Sequence, residues 1–396
     1  MLVGSSADMA ARRPRSARWV AAPVVALVLL GGACSSHGSS GSAPVSAPAV
    51  ASAEVKTKEV ANLSLPRPYI DKLTAALKAN DVSAATAALE AYDAAWGGVD
   101  AYVNVRSLSL YQKMQTDLET HIADGLSKPS PDYVGLAATS ETLGQRYDDA
   151  IALSKNGPAL SPLFDDLAAL RLVRSDLRIA TAALNDNNVA KATAVFNRFH
   201  SGFQPAYDVI KARSSGAATD TQNALDEAAA KFAGKASVDE LKTSLATLMT
   251  KYNVGVNLLN AAARYADTTK TSITDRDLLR LGSLADVEVQ LGKSLVAWQS
   301  GDYTRAGTLA SAIGTTIYPR LQPALADKGS DGGLKKALDD YSAVAGAAGE
   351  AAKVSSTNDA ALTAVALARQ VLVGQFWTDP KVQSFVAGLP KADVLT

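Results

Sequence analysis

One nine-residue pattern occurs three times along this chain, and it constrains the fold more than any other feature. Leu77-Lys-Ala-Asn-Asp-Val-Ser-Ala-Ala is matched by Leu184-Asn-Asp-Asn-Asn-Val-Ala-Lys-Ala, 107 residues later. Trp298-Gln-Ser-Gly-Asp-Tyr-Thr-Arg-Ala follows after a further 114. Each copy reads as the apolar end of one helix, a polar turn, and a residue (Asp81, Asn188, Asp302) suited to accept the free amides of the next helix. The match extends without gaps. Upstream, Leu167, Leu170, Val173, Leu177 and Leu184 align with Leu281, Leu284, Val287, Leu291 and Trp298 at helical spacing. Downstream, Tyr92, Trp96 and Arg106 align with Phe199, Phe203 and Arg213, and Pro205 aligns with Pro319.

A further helix in each unit is predicted from Ser130-Pro-Asp-Tyr-Val, Ser237-Val-Asp-Glu-Leu and Thr357-Asn-Asp-Ala-Ala-Leu, each opening an apolar-periodic stretch with a capping residue. Alanine is abundant, aromatic residues make up only 6% of the chain, and period-2 alternation is nearly absent. The expected fold is therefore all-α, with three internally repeated helical-bundle units of about 110 residues at 54–160, 161–270 and 271–390, each of three or four helices. The period is too long for tetratricopeptide or ankyrin repeats.

The N-terminus carries an address. Arg12, Arg13, Arg15 and Arg18 precede the apolar run Trp19 to Leu30, and Gly31-Gly32-Ala33 leads to Cys34, the one cysteine in 396 residues. A basic region, a short apolar core and small residues are the parts of a secretory signal peptide. The apolar run, about 12 residues, is short of the about 20 that span a bilayer. Leu30-Gly31-Gly32-Ala33-Cys34 resembles the lipobox of bacterial lipoproteins. That resemblance implies removal of residues 1–33, a diacylglyceryl group on Cys34 with palmitate among its acyl chains, and anchoring to the cell membrane on its extracytoplasmic face. Residues 34–53, rich in Ser, Gly, Ala and Pro, read as a flexible tether.

Cleavage removes four arginines and Asp8 from a balance of 39 basic and 39 acidic residues, leaving a formal charge of −3. Such a chain has no basic field for nucleic acid, whose binding rests on neutralising phosphates. One cysteine also excludes intrachain disulfides.

Catalytic constellations are thin: there is no Gly-x-Ser-x-Gly, no Walker loop and no His-Glu-x-x-His. Asp165-Asp166 reads as a helix start, where negative charge is favoured. The best metal candidate is Asp117, His121 and Asp124, whose i, i+4 and i+7 spacing places them on one α-helical face for a divalent or ferric cation. The alternative is a solvated helix side with one ion pair. Between Tyr92 and Ser107, Trp96, Tyr102, Asn104 and Arg106 suggest a ligand cleft beside Gly97-Gly98, a pair that permits close backbone approach. The competing reading makes Tyr92 and Trp96 core residues, since Phe199 and Phe203 repeat them.

Gly301-Asp-Tyr-Thr-Arg-Ala, Tyr318-Pro-Arg-Leu-Gln-Pro-Ala-Leu and Leu89-Glu-Ala-Tyr-Asp-Ala-Ala-Trp resemble the imelysin-like periplasmic proteins and the extracytoplasmic helical extensions of iron permeases. The resemblance covers about a quarter of the chain and carries over no site residue, because the families' His-x-x-Glu and Arg-Glu-x-x-Glu motifs do not occur. The expectation is a non-enzymatic interaction or assembly lipoprotein with an envelope protein as partner and no cofactor. The alternative is an accessory binding protein for a metal ion or small solute.

Overall fold

A computed structural model describes residues 58–234, 236–265 and 270–390. The expected signal peptide (1–33), Cys34 and the tether (34–53) lie outside the described residues. Every regular element among the described residues is helical.

The helices pack in fours. The first group comprises α1 (Arg67–Lys78), α2 (Val82–Arg106), α3 (Leu108–Gln115) and α4 (Tyr133–Asn156). A wider-wound segment, Thr116–Ala123, and a last turn, Asp124–Leu126, prolong α3. The second group is α5 (Leu163–Asn185), α6 (Val189–Lys211), α7 (Ser215–Ala233) and α8 (Val238–Tyr265). The third is α9 (Asp275–Gln299), α10 (Tyr303–Ala312), α11 (Tyr318–Ala326), α12 (Asp331–Ala345) and α13 (Ala351–Val373), with α14 (Pro380–Ala387) closing the chain. Here α10 and α11 are one arm joined through wide-wound Ile313–Ile317, which ends just before Pro319, a residue with no N–H to continue the ladder. Within each group the first helix contacts the second and the fourth, and the third element contacts the same two. Short turns between antiparallel helices produce this arrangement.

The first turn of each group shows why the nine-residue pattern recurs. Asn80, Asn187 and Gly301 take the left-handed backbone at φ 52°, 55° and 84°. Asn and Gly tolerate that region best, and it ends a helix by reversing the chain. Asp81, Asn188 and Asp302 then accept the amides of Ala84, Lys191 and Arg305 at 2.9, 3.0 and 3.0 Å. A second break is also shared: Ser107 and Ser214, both extended, cap α3 and α7 through the amides of Leu110 and Ala217. The expected caps of the last helices hold unevenly. Ser237 accepts from Glu240 as expected, but Asp132 and not Ser130 caps α4. Thr357 lies inside α13, and its hydroxyl donates back to the carbonyls of Lys353 and Val354.

The bundles are not separate bodies. One apolar core runs from Leu63 to Ala263 through the first two groups, joined where α2 meets α5. A second core, from Ala261 to Val382, fills the third group, which meets the second through α8 and α13. Among the described residues one helical stretch, Ala351–Thr378, is long and apolar enough to cross a membrane, with mean hydropathy 1.2. The helix packs against α8, α9 and α12, and 44% of that apolar window is buried by them and the rest of the body.

Tyr92 and Trp96 stack in the first group's part of the first core with Tyr147 set edge-on, and Phe199, Phe203 and Tyr252 form a similar cluster in the second group's part of the same core. The hydroxyls differ. Tyr252 donates to the carbonyl of Leu170 at 2.8 Å, whereas the buried hydroxyls of Tyr92 and Tyr147 bond to no protein group. A buried, unpaired hydroxyl costs about 1–3 kcal/mol. Tyr147→Phe is therefore expected to raise the unfolding free energy by about 1 kcal/mol and Tyr252→Phe to lower it by about as much, measured by urea denaturation. Burial also lifts the ionisation of Tyr92, Tyr147 and Tyr252 far above the ordinary tyrosine range. Their contribution is complete below the unfolded value of about 10 and is lost as pH rises beyond it, so stability should fall above about pH 10. Ultraviolet absorbance should show these rings ionising only together with unfolding.

Candidate functional site

The proposed metal trio is not assembled. Thr116–Ala123 is wound with i→i+5 hydrogen bonds, so seven residues no longer return a side chain to the same face. Asp117 is buried and its carboxylate is taken by the Arg146 guanidinium, with His121 Nδ1 3.6 Å away. Asp124 is exposed. Among the described residues, no three His, Cys, Asp or Glu side chains are grouped so as to hold a cation.

The second proposed set is drawn toward separate partners. Trp96 is 2% exposed and its indole N–H donates to Gln115 Oε1 at 2.6 Å. Tyr102 donates to Asp165 Oδ1 at 2.6 Å and accepts from Asn62 Nδ2 at 3.1 Å. Burial, then the Asp165 hydrogen bond, pushes the Tyr102 hydroxyl well above its usual range, and burial likewise raises Asp165. Arg106 grips Glu59 through two bonds of 2.6 and 2.7 Å and donates to the carbonyl of Pro158 at 2.9 Å. Asn104 is half-buried on the same helix. Tyr102 and Arg106 thus fasten residues 58–64 and the start of α5 onto α2. Arg213, the aligned residue in the second group, reaches the carbonyl of Gly374 at 2.7 Å, and its own carbonyl accepts from Gln370. It thereby ties the second group to the third, a role its spacing did not disclose.

The arrangement with functional potential is the α2–α5 seam. Asp93 and Asp100 on α2 face Arg178 and Arg171 on α5, with Asp93–Arg178 at 2.6 Å. Burial raises the Asp100 carboxyl against the opposing pull of Arg171. Arg174 lies between the two arginines and bonds to Asn253 Oδ1 at 3.2 Å. Burial first, then the neighbouring Arg171 and Arg178, lowers its proton affinity. Between the two aspartates sit Gly97 and Gly98. A Cβ on Gly98 would lie 2.3 Å from Leu172 Cγ and 3.3 Å from the carbonyl of Ala168, so the Leu172 side chain of α5 packs directly on the α2 backbone there.

One to three turns away the same seam opens into a groove of about 380 Å³. Leu89 and Ala94 of α2, Leu118 and Ala123 of the wide-wound segment, and Ile179, Ala182 and Ala183 of α5 give it an apolar lining. Its rim is charged: Arg178 pairs with Asp93, Lys191 of α6 with Glu90 at 3.7 Å, and Asp186 ends α5. An apolar cleft between two bundles with a few polar groups at its edge suits a small ligand. A second hollow of about 450 Å³ lies between α1 and α4, but Arg67–Asp148 and Lys78–Glu141 ion pairs cross it. Comparison with protein-family models, curated proteins and solved structures finds no match to this chain.

The two glycines should respond differently to substitution. Gly98→Ala forces Leu172 and the α5 backbone aside, at a cost of about 1–3 kcal/mol. In Gly97→Ala the nearest atom is the tip of Arg178, 2.9 Å from the new Cβ, which moves readily, while the helix gains about 1 kcal/mol from replacing glycine. Denaturation midpoints of the two variants should therefore shift in opposite directions.

Proposed function

We propose that this chain is an exported lipoprotein, held at the extracytoplasmic face of the cell membrane through Cys34, whose helical body acts by binding and not by catalysis. The groove on the α2–α5 seam is the observation that carries the reading: it combines an apolar lining with a charged rim at the junction of two bundles. Its size favours a small solute as the immediate ligand. A role in envelope assembly would act through the remaining surface of the same body. A divalent or ferric cation is less well supported, because Arg146 already neutralises Asp117. We further read the body as a triplication, supported by the common turn geometry at Asn80, Asn187 and Gly301 and by the caps that follow.

Two experiments test this. Cells expressing the chain should incorporate labelled palmitate into it and retain it in the membrane fraction, and Cys34→Ala should abolish both. Label persisting in Cys34→Ala would sink the anchor. For binding, thermal melts against small apolar solutes should rise, by about 2.7 kcal/mol of stabilisation at a hundredfold excess over Kd. Melts that respond only to iron, zinc, copper, manganese or calcium would replace this reading with a metal-handling one.

A further inference from the structure

We propose that the seam groove binds a single-chain amphiphile with a cationic head group; the inference rests on the binding reading above and names the class of its ligand. The lining specifies the chain. Leu89, Leu118, Ile179 and the methyl groups of Ala94, Ala182 and Ala183 present hydrocarbon. At about 30 Å³ per small group, the share of one water in the liquid, the groove has room for about a dozen methylenes.

The rim specifies the head. Arg178 and Lys191 already face Asp93 and Glu90, so these four charges cancel in pairs. Asp186 is the remaining rim charge, and it enters no ion pair among the described residues. Its position adds to the effect. Asp186 is the C-cap of α5, where the helix dipole presents partial negative charge, and the last turn of α5 holds no basic residue to offset it. A carboxylate at a helix C-terminus is placed against the dipole, so an ammonium group beside it relieves an unfavourable field. An anionic head would add to that field.

The test uses the full chain carrying Cys34→Ser, free of acyl groups, with a neutral naphthylamine fluorophore as the reporter. Dodecyltrimethylammonium, dodecanol and laurate, each below its micelle concentration, should all displace the fluorophore. The ammonium compound should bind tightest and laurate weakest, with dodecanol between and roughly tenfold separating the extremes, the scale expected of one exposed charge at a helix end. Ala182→Phe, at an exposed position on the groove wall, should weaken all three by about tenfold or more, the loss expected when a ligand chain forfeits two or more buried methylenes, while the circular dichroism melt stays in place. Asp186→Asn should bring the ammonium compound and laurate together and leave dodecanol unchanged. If laurate binds as well as the ammonium compound while Ala182→Phe still weakens dodecanol, the head-group assignment is overturned and the binding reading survives. If no chain displaces the fluorophore, or Ala182→Phe has no effect, both are overturned.

Discussion

The approach of α2 to α5 at Gly98 is the constraint on which the rest of the structure depends. It turns two bundles into one body, because α2 is buried on two sides at once. One side carries Tyr92, Trp96 and Val99 into the first core, and the other lies against α5. Such a helix has no single apolar stripe: its buried positions include Gly98, Ala101, Tyr102 and Val103 in addition to the periodic set. A side chain at Gly98 would collide with Leu172 and crowd the Ala168 carbonyl of α5.

Charge then sets the register along that contact. Asp93 and Asp100 are seven residues apart, as are Arg171 and Arg178, so both pairs form only when the helices slide to one relative position. Half-buried ion pairs of this kind add little net stability, because desolvation offsets much of their attraction, but mispairing them is costly. Arg174, faced by an amide and not by a carboxylate, keeps this part of the seam electropositive. Beyond the pinch, Leu89 and Ala94 of α2 and Ile179, Ala182 and Ala183 of α5 line the groove.

The ends of the bundles are joined by polar contacts in addition to apolar ones such as Tyr102 against Phe164. Glu59 with Arg106, Asn62 with Tyr102 and Asp165, and Arg213 with Gly374 each link one group of helices to the segment before or after it. Helix ends leave backbone carbonyls unsatisfied, and a buried guanidinium is well suited to collecting them. This is why arginine recurs at the end of α2 and just after α6, although the two make different bonds.

Local chemistry was legible in the sequence wherever one residue type meets one backbone demand. Asn80, Asn187 and Gly301 announce left-handed turns, Asp81, Asn188 and Asp302 announce caps, and the 3.6-residue spacing of leucines announces helices, because each depends on neighbours within a turn or two. The placement of Tyr92 and Trp96 in the core was legible for the same reason, as was the close approach permitted by Gly97-Gly98. The trio of Asp117, His121 and Asp124 was misread because the spacing rule assumes α-helical winding, and Thr116–Ala123 departs from it. Tyr102 and Arg106 were read toward a ligand when their partners, Asp165 and Glu59, lie about 50 to 60 residues away in sequence. Which bundle packs on which, the charge register of the seam and the groove beside it were decided by tertiary structure alone. They depend on pairing surfaces of helices distant in sequence, and no local pattern of residues records which of several similar apolar faces will meet.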